Sequence, residues 1–298
     1  MIRSLVDEHR ISGRFVILGS ASPELLKQSS ESLAGRINYL EMYPLNLLEV
    51  NDQIPLTSLW LYGGFPEPAL NESIKYKQSW YASFIHSYIQ RDLPSLGLTA
   101  NPNITRQLMM MLASLNGAIV NYSTLAKSLG LSMPTVKTYT GYFVNAFLVT
   151  ELPLWHINVK KRLVKSPKIY FRDTGMLHYL LGIKGMEGLY GNIAVGSSWE
   201  SFVVHQVKAV LHIDDELYFY RTQDGAEIDL LIRRENRWIA AAEIKLSRSP
   251  KLTKGTYIAM EDLGIDKLYI ITPGEDSYVY DSKVQVVGLR GFLEKLVE

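Results

Sequence analysis

The sequence predicts a multidomain chain of the α/β plus α class, and three observations carry that reading. Its 298 residues exceed one ordinary domain, so about two to four small units are expected. The middle of the chain is rich in helical periodicity, with a helix-turn-helix pattern at its end. The C-terminal third reads as a helix, three strands joined by tight turns, a helix and a strand, an αβββαβ order.

The elements follow in chain order. Arg14 to Ser22, "RFVILGSAS", reads as a short apolar strand running into small residues. "ASPELLKQSSESLAGR" reads as a helix, with Pro23 in its first turn and Gly35 just past its end. "INYLEMYPLNLLEV" reads as a second strand, broken at Pro44. Asn71 to Leu93 is expected to be helical, as is "NITRQLMMMLASLNG", stopped by Gly117. Next, Ser123 is read as the cap of a helix holding Leu125, Ala126 and Leu129. Gly130 breaks it, Ser132 caps the next helix, and Pro134 sits in that helix's first turn. Val136, Tyr139 and Phe143 share one face, and "FLVTELPLW" follows as a strand. This arrangement predicts a winged helix-turn-helix; a plain helical hairpin in a bundle is the alternative.

From Leu152 to Arg172 there is no acid, while Lys160, Lys161, Arg162, Lys165, Lys168 and Arg172 are all basic. Such a segment beside a winged helix suits a phosphate backbone, so Lys160, Lys161, Arg162 and Lys165 are candidate DNA contacts. The competing reading is a solvated loop packed on acidic neighbours. Further on, "SSWESFVVHQVKAVL" reads as a helix with Phe202, Val203, Val207 and Val210 inward. "ELYFYRT", "AEIDLLI" and "RWIAAAEIKL" read as three strands, turning at Gln223-Asp224-Gly225 and Arg234-Glu235-Asn236. "KLTKGTYIAMEDLG" reads as a helix and "KLYIIT" as the last strand.

Composition narrows the function classes. Hydrophobic residues make up 47% and charged residues 20%, which is ordinary for a globular protein and leaves no long disordered stretch. The net charge of +1 means that nucleic-acid binding must rest on local patches. With no cysteine, disulfides, thiolate zinc sites and cysteine nucleophiles are excluded. The six histidines show no metal-ligand spacing, and no G-x-S-x-G elbow occurs. No apolar run approaches the roughly 20 residues of a membrane helix, and the N-terminus lacks a signal-peptide core. The expectation is a cytoplasmic protein with no membrane partner.

The sequence "GAEIDLLIRRENRWIAAAEIKL", Gly225 to Leu246, places ionisable groups in strands that otherwise look like core. Glu243 and Lys245 are two apart and so share a face. Asp229 lies on the adjacent strand, and Glu200 lies on the preceding helix. Carboxylates brought this close repel and need a cation or a proton to coexist. A hard ion, Mg²⁺ or Mn²⁺, suits Glu200, Asp229 and Glu243, with Lys245 placed to orient or deprotonate an attacking water. The competing reading is a Lys245–Glu243 ion pair at a sheet edge with a solvent-facing Asp229.

Glu on a helix, then Asp, then Glu-x-Lys on sequential strands resembles the PD-(D/E)xK nuclease superfamily. By that resemblance Glu200, Asp229, Glu243 and Lys245 would be catalytic. Nearly the whole chain also resembles the C-terminal part of a bacterial and archaeal AAA-type ATPase family. The segments that carry this are "GRFVILGSAS", "SESLAGRINYLEMYPLNLLE", "YGGFPE", "FIHSYIQRDL", "KKRLVKSPKIYFRDTGMLHYLLGI" and "YFYRTQDGAEIDLLI". The resemblance implies four units: a truncated AAA+ core over 1–58, a helical lid-like region over 59–112, a winged helix over 113–166 and a restriction-endonuclease-like domain over 167–298. It implies that Ser20 ends a sensor strand, and that Arg36 of "AGR" is an arginine finger touching a neighbouring subunit's nucleotide. The family's phosphate loop has no counterpart in this sequence, since no G-x-x-x-x-G-K-[S/T] occurs. "SLVDEH" does not replace its acidic strand, since two apolar residues before the acids do not make a buried strand; the resemblance implies a surface helix there. The chain thus resembles a truncated member, from an internal start, a split gene or a shortened chain, and ATP hydrolysis by it alone is not expected.

Three functions follow as expectations. One is a DNA-associated protein with a Mg²⁺-dependent nuclease domain. Another is a non-catalytic module that binds DNA or protein. The third is an assembly partner, homo-oligomeric or joined to full-length AAA+ subunits.

Overall fold

The computed structural model describes residues 2–20, 35–156, 166–247 and 249–298. At the N-terminus, helix α1 (Ile2–Glu8) buries none of its residues, as expected for a surface helix. The expected strand at "RFVILGSAS" does not form over its described part: Arg14 to Ser20 pair with no strand, and Val16 and Leu18 are each 83% exposed. The expected strand at "INYLEMY" is likewise absent, with Leu40 and Met42 exposed, and the "LLEV" that follows is a helical turn, α2 (Leu47–Val50). A strand is held by ladder hydrogen bonds to a neighbour and by cover on its apolar face; neither segment has a strand partner among the described residues. Asn46 caps α2 in a reciprocal capping box with Glu49. The helix expected between Ala21 and Ala34 lies outside the described residues.

The middle of the chain is helical. Two short helices, α3 (Leu56–Tyr62) and α4 (Pro66–Leu70), precede α5 (Ile74–Ser87), which widens into a π-helical turn over Tyr88–Asp92. Then come α6 (Pro102–Ser114), α7 (Tyr122–Leu129) and α8 (Met133–Asn145). The cap of α7 is Asn121, whose side chain accepts from the amides of Ser123 and Thr124. This corrects the expected Ser123, since an Asx oxygen two residues back reaches both orphan amides at once. Gly130 ends α7 in the left-handed conformation, and Ser132 caps α8 with Pro134 in the first turn, as the sequence predicts. Strand β1 (Val149–Leu152) pairs antiparallel with β2 (Lys168–Phe171), so this ribbon spans the expected boundary at 166/167. Leu112, Leu125, Val136, Phe143, Val149 and Ile169 close one core beneath the three helices and the ribbon.

A buried carboxylate ties this region together. Asp173 caps α9 (Thr174–Leu180) through the Met176 amide at 2.8 Å. It also accepts from the Gly64 amide at 2.8 Å and from the Tyr81 hydroxyl at 2.7 Å. Gly63, at φ 76°, has no room for a side chain: a Cβ there would lie 2.3 Å from the Asp173 carboxylate. The "YGGF" loop and the "RDTG" turn are thus one joint.

The C-terminal sheet has six strands in the order β3-β4-β5-β6-β8-β7. They are β3 (Glu216–Arg221), β4 (Glu227–Arg234), β5 (Arg237–Ile244), β6 (Leu268–Thr272), β7 (Tyr278–Val279) and β8 (Val284–Gly288). Strands β3 to β5 run antiparallel, and β6 and β8 add in parallel. Glu235 and Asn236, both at positive φ, make the tight β4–β5 turn. Helix α10 (Met186–Tyr190) leads into α11 (Val195–Val210), which packs Phe202, Val203 and Val207 on Leu230, Ile232 and Ala242. Helix α12 (Lys254–Leu263) covers the other face, with Ala259 and Met260 on Ile228, Leu231 and Ala241. The αβββαβ order is therefore present. Strands β7 and β8 and the terminal helix α13 (Leu289–Val297) extend it beyond what the sequence predicts.

Candidate functional site

The site forms at the end of the sheet where β4 begins and β5 ends. Register aligns Leu230 with Ala242, so Asp229 stands across from Glu243, one step further. On its other edge β4 carries a bulge: Tyr218 pairs with Leu231 and Tyr220 with Ile228, so Phe219 alone opposes both Asp229 and Leu230. Such bulges re-aim a side chain. Here Asp229 turns into the sheet end and its Oδ2 accepts the Ile244 amide at 2.9 Å, where the ladder with β5 has stopped.

Lys245 follows Glu243 on the same side, as alternation predicts. Its Nζ lies 2.5 Å from Glu243 Oε2 and 3.4 Å from Asp229 Oδ2. The expected trio of Asp229, Glu243 and Lys245 is thus brought together. Glu200 on α11 comes to the same end of the sheet, but a second ammonium joins it to Asp229. Lys168 Nζ is 2.9 Å from Glu200, 3.2 Å from Glu227 and 3.7 Å from Asp229 Oδ1. The Tyr170 hydroxyl donates to the same Glu200 oxygen at 2.5 Å. Arg221, at 3.7 Å, reaches the other oxygen of Glu227.

The sequence pattern does not single out Tyr170, Arg221 or Glu227, and it gives Lys168 only as one member of a basic run. Lys168 looked like part of a solvated or DNA-facing basic run. The signal against that was its place in "KIYF", a strand buried at every position. Arg172, also in the run, is buried and paired with Glu41. Lys160, Lys161, Arg162 and Lys165 lie outside the described residues. Arg36 bonds Asp7 at 2.6 Å, within the N-terminal segment.

Electrostatics follow from this geometry. Burial, then the facing Asp229, push the Glu243 carboxyl up to about 8, against the pull of Lys245. Protonated Glu243 donates to Asp229. Burial also acts to raise Asp229, but Lys168 and Lys245 outweigh it and hold that carboxyl below its usual range. Burial raises Glu200, with Lys168 opposing. Lys245 would be lowered by burial, yet Asp229 and Glu243 raise it. Its ammonium stays charged, so it can donate to a water but not take a proton from one. Four carboxylates therefore meet three cations, and one proton on Glu243 balances the charge.

Among the described residues no group of three or more His, Asp or Glu side chains is set to hold a metal ion. Asp229 and Glu243 remain a facing pair. Mg²⁺ is held by one or two carboxylates together with waters and substrate phosphate, so the pair fits the ion's donor chemistry. Glu200 is not part of that pair, because Lys168 and Tyr170 occupy its Oε1. The two buried histidines serve structure: His178 bonds the Leu61 carbonyl and Ser198, and His205 bonds the Ser201 carbonyl and Thr150.

Residues 1–51 match the family model of an AAA domain. Residues 55–187 and 195–292 match two domains of unknown function, DUF8612 and DUF4143. Uncharacterized proteins of Mycobacterium bovis and Mycobacterium tuberculosis are each 37% identical over 287 residues, 96% of this chain. The chain spans 64% of the length of those curated relatives. An uncharacterized protein of Methanocaldococcus jannaschii is 24% identical over 88% of the chain and 63% of that protein. No solved structure matches. The matches relate the chain to an AAA-type ATPase family. Among the described residues no helix is long and apolar enough to cross a membrane.

Proposed function

We propose that this relative of AAA-type ATPases is a DNA-associated protein whose C-terminal sheet carries a Mg²⁺- or Mn²⁺-dependent phosphodiesterase site. The observation that carries the reading is the facing of Asp229 and Glu243 at the sheet end, with Lys245 between them at 3.4 and 2.5 Å. Asp229 and Glu243 would hold the ion. When bound, it would offset charge developing on phosphate oxygens. Lys245, a third exposed, would orient the attacking water and donate to an oxyanion. Glu200 would act on Asp229 through Lys168. The middle unit, with α6, α7, α8 and the β1–β2 ribbon, would be a winged helix bringing DNA to the site. Lys160, Lys161, Arg162 and Lys165 would lie along the phosphate backbone. In an assembly with complete AAA+ subunits or further copies of this chain, Arg36 would exchange Asp7 for a neighbour's nucleotide.

The test is metal binding. Mn²⁺ titrated by calorimetry should bind wild type and fail to bind Asp229→Asn and Glu243→Gln. Binding should release the proton on Glu243, so affinity rises with pH up to about 8. Wild-type protein that binds Mn²⁺ but leaves plasmid and oligonucleotide DNA intact would retain the site and remove the nuclease. Protein that binds no Mn²⁺ overturns the proposal. For DNA, replacing the four basic residues by alanine should lower the log–log salt slope by roughly 0.9 per lost duplex contact. The chain as it stands has no phosphate loop, so calorimetry should detect no tight ATP binding.

A second reading has its own support. Lys168, Lys245, Tyr170 and Arg221 already satisfy all four carboxylates without metal. On that reading the domain is a non-catalytic DNA- or protein-binding module. It predicts destabilisation by Lys245→Ala and no response to Mn²⁺.

A further inference from the structure

Asp229 touches two cations, one through each oxygen. Lys245 sits 3.4 Å from Oδ2, on the side of Glu243. Lys168 sits 3.7 Å from Oδ1, on the side of Glu200 and Glu227. A carboxylate giving one oxygen to each of two cations is the arrangement that bridges the ions of a two-metal centre, where the ions lie about 3.5–4 Å apart. The two cation positions differ in one respect. Lys245 is a third exposed and extends from the end of β5. Lys168 is 4% exposed, anchored in β2, and fixed by three carboxylates.

We propose that Lys168 is the site's resident cation: its ammonium permanently fills the place of a second divalent ion between Glu200, Glu227 and Asp229. This rests on the metal reading of Asp229 and Glu243 only for its consequence, which is that an ion bound there acts alone. The reasoning is electrostatic. Three buried or half-buried carboxylates cannot share a space without compensating charge. A divalent ion would supply it but would leave when chelated or outcompeted. A lysine in the chain cannot leave. The Phe219 ring, 5.2 Å from Nζ, gives the ammonium a further favourable face. Because Lys168 belongs to the ribbon strand β2, the charge balance of the C-terminal sheet is completed by the middle unit. Lys168 is thus a positioning residue, which holds Glu200, Glu227 and Oδ1 of Asp229.

The test counts metal ions. Mn²⁺ stoichiometry is measured by calorimetry in the full chain for wild type, Lys168→Gln, Lys168→Arg and Lys168→Gln combined with Glu243→Gln. Lys168→Gln should bind one more Mn²⁺ than wild type, and Lys168→Arg should bind the same number as wild type. The double variant should keep the extra ion, since Glu200, Glu227 and Asp229, which are not set to hold a metal ion while Lys168 stands between them, would close on it once the ammonium is gone. If Lys168→Gln is unfolded without metal, millimolar Mn²⁺ should restore its near-ultraviolet circular dichroism. A folded Lys168→Gln that binds no extra Mn²⁺, or an unfolded one that Mn²⁺ does not restore, overturns the inference. The two ideas separate cleanly. Zero ions in wild type and one in Lys168→Gln keeps the resident cation and removes the Asp229–Glu243 metal site. One ion in both does the reverse.

Discussion

Two apolar runs of similar appearance meet opposite fates in this molecule. "RFVIL" near the N-terminus and "IDLLI" in the C-terminal third both read as strands. The first leaves Val16 and Leu18 each 83% exposed, and none of its residues pairs. The second becomes β4, with Ile228, Leu230, Leu231 and Ile232 all fully buried. The difference lies in the neighbours. "IDLLI" is followed after one tight turn by its own antiparallel partner, so its ladder closes locally. "RFVIL" has no hairpin partner among the described residues. An apolar run is only an offer of a strand; the nearby chain decides whether it is taken up.

Truncating one residue in each run breaks the comparison most directly. Leu230→Ala removes a fully buried side chain between α11 and the sheet. It should cost toward the upper end of the roughly 2–5 kcal/mol seen for such changes. Leu18→Ala should stay within about 0.5 kcal/mol of wild type, as an exposed change away from any packed feature. Urea unfolding of both variants checks this. A loss of more than 1–2 kcal/mol for Leu18→Ala, roughly the scale of a real packing contact, would mean that the run is covered in solution.

The same locality explains what could be read in advance. The C-terminal strands, their turns at Gln223-Asp224-Gly225 and Glu235-Asn236, and the helices α11 and α12 were legible because each signal is confined to a few residues. So was the alternation that puts Glu243 beside Lys245. The bulge that turns Asp229 was not legible, because it depends on how β3 and β4 count against each other. Lys168 was misread for the same reason. Its partners Glu200, Glu227 and Asp229 lie 32 or more residues away, and charge alone pointed to solvent. The short β7 and the closing β8 and α13 carry weak local patterns and depend on the sheet already formed.

The second prediction concerns the joint between "YGGF" and "RDTG", where buried polar contacts rather than apolar area do the holding. Asp173→Ala strands the Gly64 and Met176 amides, each bonded to it at 2.8 Å, while the Tyr81 hydroxyl keeps the Tyr62 carbonyl at 2.7 Å. Each stranded donor costs on the order of 1 kcal/mol or more, so a loss of about 2–3 kcal/mol is expected. Tyr81→Phe leaves Asp173 its amides and takes from the Tyr62 carbonyl the hydroxyl it accepts at 2.7 Å; it should cost about 1 kcal/mol. If the two variants are equally stable by urea titration, the carboxylate does not hold the joint.

The smallest effect is the most diagnostic, because it separates the charged end of β4–β5 from the apolar body of the same strands. Glu243 has a folded pKa near 8 and an ordinary carboxyl pKa of about 4.3 when unfolded. Between those values the native state holds a proton that the unfolded state has released. Stability from this proton is therefore complete below about pH 4, and is lost as pH rises toward 8. One proton gives a slope of at most about 1.4 kcal/mol per pH unit. His178 and His205 act in the other direction and in another window. Burial lowers them to about 4 and 3, so their contribution is complete above about pH 6.5 and falls away in acid. From pH 6.5 to 8 the histidines are silent, and the Glu243 slope stands alone among these three. Glu243→Gln cannot titrate, so its urea midpoint should be flatter than wild type across that window. Leu230→Ala should keep the wild-type slope while losing far more stability. Saturating Mg²⁺ should flatten the wild-type slope as well, since an ion held by Asp229 and Glu243 replaces the proton. A wild-type profile already flat from pH 6.5 to 8 would mean that Glu243 is ionised throughout, and that Lys245 alone balances the pair.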